Sequence, residues 1–186
     1  IPRRVPGDPV AAVELPGLSD RVAGGWSLWK VSLGHAGETR SRYLPVFISD
    51  EGRVLQPTAR AVWDALAALE QETAILRPAY LRGEASRALE ERSTEAARSA
   101  AEGLYRELLA RHEDETRRRR RNGERAFEAR RAMIERVGLQ HVRQHRLKKL
   151  DAERETWEKE LAARAHPVPD LTPVILVRLA QQGELS

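Results

Sequence analysis

Alternating apolar and polar positions predict a strand over residues 26–33. Trp29, Val31 and Leu33 fall on one face, and Trp26 and Leu28 on the other. Residues 34–41 read as a turn, and residues 43–48 form a second apolar run. Asp50-Glu51-Gly52-Arg53 then predicts a turn with Gly52 at positive φ, and Val54 and Leu55 suit a short third strand. Pro57-Thr58 opens a helix, since the missing proline N–H would find no helical partner in a first turn anyway. Val62, Trp63, Leu66 and Leu69 form its apolar stripe.

From about residue 84 to residue 137 the period becomes helical and the composition highly charged. Ala97, Ala101, Leu104 and Leu108 follow coiled-coil spacing. Glu102/Arg106, Glu107/Arg111, Glu113/Arg117, Asp114/Arg118 and Glu115/Arg119 are acidic-then-basic pairs one turn apart, each worth about 0.2–0.5 kcal/mol. Between Arg111 and Arg125 no large apolar residue occurs, so this stretch is expected in solvent or on a partner. Gly138 interrupts the pattern. A second helix is predicted over residues 139–164, with Leu147, Leu150, Trp157 and Leu161 on one seam and Arg154 at its missing step. The two helices are expected to fold back as an antiparallel hairpin, with Asn122-Gly123 as a rival elbow. His166-Pro167 ends the second helix, and residues 172–179 read as a last strand that returns to the opening sheet.

Pro2, Pro6, Pro9 and Pro16 predict an extended lead-in over residues 1–20, because proline fixes φ and removes backbone donors. The expected fold class is therefore α+β: a small antiparallel sheet with a packed helix, built from residues 21–82 and 167–186. Residues 83–166 form a long projecting coiled-coil-like arm.

Composition adds to this picture. Charged residues are 32% against 41% hydrophobic, a balance that suits long solvent-facing helices better than an enzyme with a deep pocket. The net charge of +4 arises from 32 basic and 28 acidic residues, so clustering matters more than the total. Absence of cysteine excludes disulfides, thiolate chemistry and Cys-ligated zinc. Ile1 follows no leader-like pattern, which suggests a piece of a longer chain. Apolar runs such as Val174-Ile175-Leu176-Val177 are too short to cross a bilayer. A soluble, cytoplasmic protein without a membrane partner is expected.

The chemistry-bearing motifs are few. Nothing resembles G-x-x-x-x-G-K-[ST], so ATP hydrolysis within these residues is not expected, and no G-x-S-x-G elbow occurs. His141 and His145 stand one helical turn apart, a spacing that can place two imidazoles on one metal. The glutamate of H-E-x-x-H is missing, however, and Arg143 and Arg146 would repel a cation, so no metal is assigned. The carboxylates of Glu90-Glu91 and Glu113-Asp114-Glu115 lie among arginines on a solvated helix, without the desolvation a general acid or base needs. No catalytic residue and no cofactor are expected. Trp29 and Trp63 read as core, Trp26 as core or a stacking platform, and Trp157 as part of the seam between the helices.

Basic clustering is the most informative signal. Residues 117–121 are all arginine, but Glu113, Asp114 and Glu115 lie one turn back and favour a solvated face. Between Glu135 and Asp151 no acidic residue occurs, whereas Arg136, Arg143, Arg146, Lys148 and Lys149 do. Side chains so placed can neutralise phosphates and release counterions, without base readout.

Residues 43–66, YLPVFISDEGRVLQPTARAVWDAL, resemble a segment towards the C-terminus of bacterial Swi/Snf-type helicase-like ATPases. The stretch ARRAMIERVGLQHVRQHRLKKLDAERETWEKEL is similar in layout to the helical tail of those proteins, among them RNA-polymerase-recycling and phage-defence ATPases. The matching features concern packing and turns, and the motor motifs of that family are absent. The resemblance implies a helicase-associated accessory domain of an ATP-dependent remodeller. Its partners would be DNA or RNA, the motor domains of the same parent chain, and RNA polymerase or another protein. A pure protein-interaction module is the alternative expectation; an independent hydrolase or nuclease finds no constellation to support it.

Overall fold

A computed structural model of the chain describes residues 8–15, 18, 22–35, 38–68 and 79–180. In chain order the elements are β1 (Val10–Val13), β2 (Gly24–His35), β3 (Glu38–Ser49), α1 (Gln56–Ala68), β4 (Ala79–Leu81), α2 (Gly83–Glu135), α3 (Gln140–Ala163) and β5 (Val168–Leu179). The architecture is α+β. The strands make one mixed sheet in the order β3-β2-β5-β1-β4.

The final strand does return to the opening sheet, beside β2. The purely antiparallel sheet expected from the sequence is corrected by β1, which runs parallel to β5 and antiparallel to β4. Ala11 lies opposite Val177 and Val13 opposite Leu179, while Val10 lies opposite Leu81. The reason lies in the proline-rich opening. Between Pro9 and Pro16 stands the proline-free run Val10-Ala11-Ala12-Val13, and Val10, Ala12 and Val13 are buried. Four residues able to donate to a ladder and bury methyl groups outweigh the flanking prolines, so residues 10–13 are a strand rather than part of a lead-in.

Two compact units divide the chain: Ile1–Ser32, Ser41–Leu104 and Asp170–Ser186 in one, Leu33–Arg40 and Tyr105–Pro169 in the other. The boundary expected at residue 83 coincides with the start of α2, whereas the units divide within that helix.

In the first unit α1 covers one face of the sheet. Trp26 is fully buried, its Nε1–H donates to the Ala59 carbonyl at 3.0 Å, and its ring stacks on Trp63 with centroids 6.2 Å apart. Leu28, Phe47, Val62 and Leu179 belong to the same core, so Trp26 is a core residue and not a stacking platform. On the other face, Leu89 of α2 packs with Val10 and Leu176. Both sets of alternating side chains of β2 are buried, with Ser27 and Ser32 enclosed beside Trp26, Leu28, Trp29, Val31 and Leu33. Trp29 donates from Nε1 to Ser27 Oγ at 2.8 Å, which satisfies both polar groups in the interior.

The turn after β3 forms as its residues predict, with Gly52 at φ +85° and its N–H donating to Ser49 O at 2.8 Å. Val54 makes only an isolated bridge to Ile48 in place of a third strand. Leu69, assigned to the stripe of α1, lies outside the described residues.

In the second unit, the contacts between α2 and α3 run in opposite sequence order. Arg131 pairs with Asp151, Arg130 with Glu153 at 2.7 Å, Phe127 packs on Trp157 at 5.4 Å, and His112 Nε2 lies 2.7 Å from the Arg164 carbonyl. The helix runs unbroken through Asn122-Gly123 and stops at Glu135, so the elbow is the segment containing Gly138. Gly123 instead makes room for an aromatic ring, since a Cβ there would lie 2.2 Å from Trp157 Cζ2. Residues 111–125 therefore have an inner face, made of His112, Thr116 and Gly123, and Trp157 of α3 supplies its apolar bulk. Most of this stretch is exposed, as expected of a segment in solvent or on a partner, but His112 is buried. Likewise Leu150 and Leu161 are buried and Leu147 and Trp157 half-buried, but the missing step of the seam is half-buried Glu153, paired to Arg130. Arg154 faces away and pairs with Glu158.

Two glycines of α2 separate packing from helix propensity. At Gly103 a Cβ meets nothing within 4 Å, so Gly103→Ala should stabilise by about 0.5–1 kcal/mol. Gly123→Ala gains the same propensity but drives a methyl group into an indole, and should destabilise by about 1–3 kcal/mol net. Urea denaturation of the two variants checks the opposite signs.

Candidate nucleic-acid interface

The five basic residues singled out by sequence occupy the elbow and the first half of α3, but they do not form one surface. Arg136 lies in the turn after α2 and is exposed. Arg143 is half-buried and donates from Nη1 to the Val137 carbonyl at 3.4 Å, so part of its guanidinium braces the elbow. Arg146 and Lys149 are brought together. They stand three residues apart on one side of α3 and line a cavity of about 330 Å³ with Arg130, Met133 and Ile134 of α2 and Glu153 of α3. Lys148 is exposed, and at about 100° per residue it is rotated roughly 200° from Arg146, onto another face.

The second unit holds both paired and unpaired cations, and among the described residues Arg118, Arg119, Arg120, Arg121 and Arg125 form no ion pair. Arg111 pairs with Glu107, Arg117 with Asp114, Arg130 with Glu153 and Arg131 with Asp151. Among the described residues no carboxylate pairs with Arg136, Arg146, Lys148 or Lys149. No acid lies between Glu135 and Asp151 to pair with them locally, and the nearby Glu153 is held by Arg130. Sequence reasoning missed Arg130, Met133 and Ile134, which belong to the same cavity from the opposite helix. The sequence signal was the apolar pair Met133-Ile134 set among Arg130, Arg131 and Arg136; Met133 is 70% exposed.

A second basic cavity, of about 200 Å³, lies elsewhere in the same unit. Arg40 of β3, His112, Glu115, Arg118 and Arg119 of α2, and Arg164 after α3 line it. Arg40 grips Glu115 with both arms of its fork, Nη1 to Oε1 at 2.6 Å and Nη2 to Oε2. These hydrogen bonds hold the Glu115 carboxyl below its ordinary value of 4.5, against the opposing effect of desolvation and with help from the nearby charges of Arg40, His112 and Arg118. A depressed carboxylate stabilises the fold above its unfolded pKa and loses that contribution as pH falls through the folded pKa. The Glu115 carboxyl should accordingly titrate below 4.5 by NMR, and Arg40→Gln should bring its midpoint back up.

His141 and His145 are both exposed, and among the described residues no group of three or more histidines and carboxylates is placed to hold a metal ion. No described helix is long and apolar enough to cross a membrane. No family model, curated protein or solved structure matches the chain.

Proposed function

We propose that the chain is a non-catalytic accessory domain of a nucleic-acid-dependent, helicase-like ATPase, and that it holds nucleic-acid phosphates with its basic elbow. The second half of α2 and α3 act as an antiparallel arm, a reading supported by the opposed order of their contacts. The observation that carries the function is placement: Arg146 and Lys149 share one cavity rim, and neither pairs with a carboxylate among the described residues, since the rim's Glu153 is taken by Arg130. Unmatched cations self-repel, and an anionic backbone relieves that repulsion while releasing counterions. Arg136 and Lys148 extend the same field around the elbow. Resemblance to the C-terminal region of Swi/Snf-type ATPases supplies the parent, whose motor domains and RNA polymerase are the proposed further partners.

The test is binding of the whole chain to duplexes of unrelated sequence. Similar affinity for each, with a steep fall as salt rises, is the expected result. Sequence discrimination of a hundredfold or more would contradict backbone-type contact. The same preparation should hydrolyse no ATP above buffer in a phosphate-release assay, because the sequence carries no G-x-x-x-x-G-K-[ST] loop to hold nucleotide phosphates and magnesium. Turnover abolished by substitutions in this chain would overturn that part.

A second reading has one specific observation in its favour. Met133 and Leu139 are 70% and 62% exposed at the same elbow, and exposed apolar groups rimmed by charge suit a protein partner. On that reading the arm is an interaction module, and Met133→Ser would abolish partner capture while leaving duplex binding intact.

A further inference from the structure

We propose that the cavity between Arg40, His112, Glu115, Arg118, Arg119 and Arg164 is a separate binding site for a phosphate-type oxyanion. Four arginines from three parts of the chain converge there: Arg40 from β3, Arg118 and Arg119 from α2, and Arg164 after α3. Glu115 is the one carboxylate lining the cavity, and both of its oxygens are taken by the Arg40 fork. It holds Arg40 in place, and its charge also attracts Arg118.

Arg117, next in sequence to Arg118, is not among the lining residues and reaches back to Asp114 at 3.5 Å. Arg118 and Arg119 line a concavity with Arg40, Arg164 and a single carboxylate, a gathering of guanidinium groups that a bound anion would stabilise. A guanidinium offers a planar fork of donors suited to phosphate oxygens, which a diffuse cation layer does not exploit. Size narrows the ligand. A cavity of about 200 Å³ lies below the range of about 300–1,000 Å³ that encloses drug-sized organic ligands, so it suits a phosphate or pyrophosphate group rather than a whole nucleoside. That group could be a free oxyanion or a phosphate of a nucleic-acid backbone.

The site is distinct from Arg146 and Lys149 and does not depend on the function proposed for them. Isothermal titration of the full chain with inorganic pyrophosphate should give saturable binding at one site. Arg118→Gln with Arg119→Gln should weaken it at least tenfold, whereas Arg146→Gln with Lys149→Gln should leave it within twofold of the parent. Both pairs are exposed, so circular dichroism should show the fold retained. Displacement of pyrophosphate by a short duplex would support backbone phosphate as the source, and retained binding in the presence of duplex would support a free oxyanion. Absence of saturable binding to the parent chain, or equal affinity in the Arg118/Arg119 variant, would overturn the site.

Discussion

Trp26→Ala should destabilise the fold by about 3–5 kcal/mol, the range for removing a large aromatic from a core. The indole is fully buried, stacks on Trp63 and donates to the Ala59 carbonyl, so its loss leaves a void between β2 and α1 and removes a buried hydrogen bond. For a chain of this size each kcal/mol corresponds to about 2–4 °C, which gives a fall in Tm of roughly 6–20 °C. Trp26→Phe keeps most of the volume and loses the N–H, and should cost about 1–2 kcal/mol. Thermal melts of the two variants resolve the difference. A Trp26→Ala chain as stable as the parent would contradict the placement of this residue at the centre of the first unit.

Arg146→Gln with Lys149→Gln should produce the largest change in binding. At a counterion-release slope of about 0.9 per neutralised duplex phosphate, each phosphate no longer held costs up to about tenfold in affinity at 0.1 M salt. The loss should be the same for duplexes of unrelated sequence, since the backbone carries no base information. Arg143→Gln should weaken binding less than Arg146→Gln, because its guanidinium already serves the Val137 carbonyl and its removal disturbs the elbow instead. Fluorescence anisotropy against two unrelated duplexes measures all three. Affinity unchanged in the double variant would leave Arg146 and Lys149 as a solvated face and favour a protein partner.

Much of the fold is legible in the residues because local and tertiary preferences agree there. The alternation around Trp29, the turn at Gly52 and the proline at the start of α1 each have one physical reading, and the chain adopts it. Legibility fails where the deciding partner is distant. Residues 10–13 pair with residues more than sixty positions away on both sides, which proline spacing does not reveal. Gly123 reads as a turn beside Asn122, and only Trp157 on the other helix shows why a glycine belongs inside α2. The same limit applies to the candidate sites. A run without acids between Glu135 and Asp151 is visible in one dimension; the company of Arg146 with Met133, or of Arg118 with Arg40, depends on how α2, α3 and the start of β3 meet.

Salt dependence decides whether the unmatched cations at the elbow hold nucleic-acid phosphates. The affinity of the parent chain and of a variant with Arg136, Arg146, Lys148 and Lys149 replaced by Gln should be measured against one duplex from 50 to about 200 mM salt, the range over which counterion release is steep. The log–log slope should be shallower in the variant by up to about 0.9 for each phosphate it no longer neutralises. With Lys148 turned away from Arg146 and Lys149, the total change should correspond to about two or three phosphates rather than four. Identical slopes and identical affinities in the two proteins would contradict phosphate binding by the elbow.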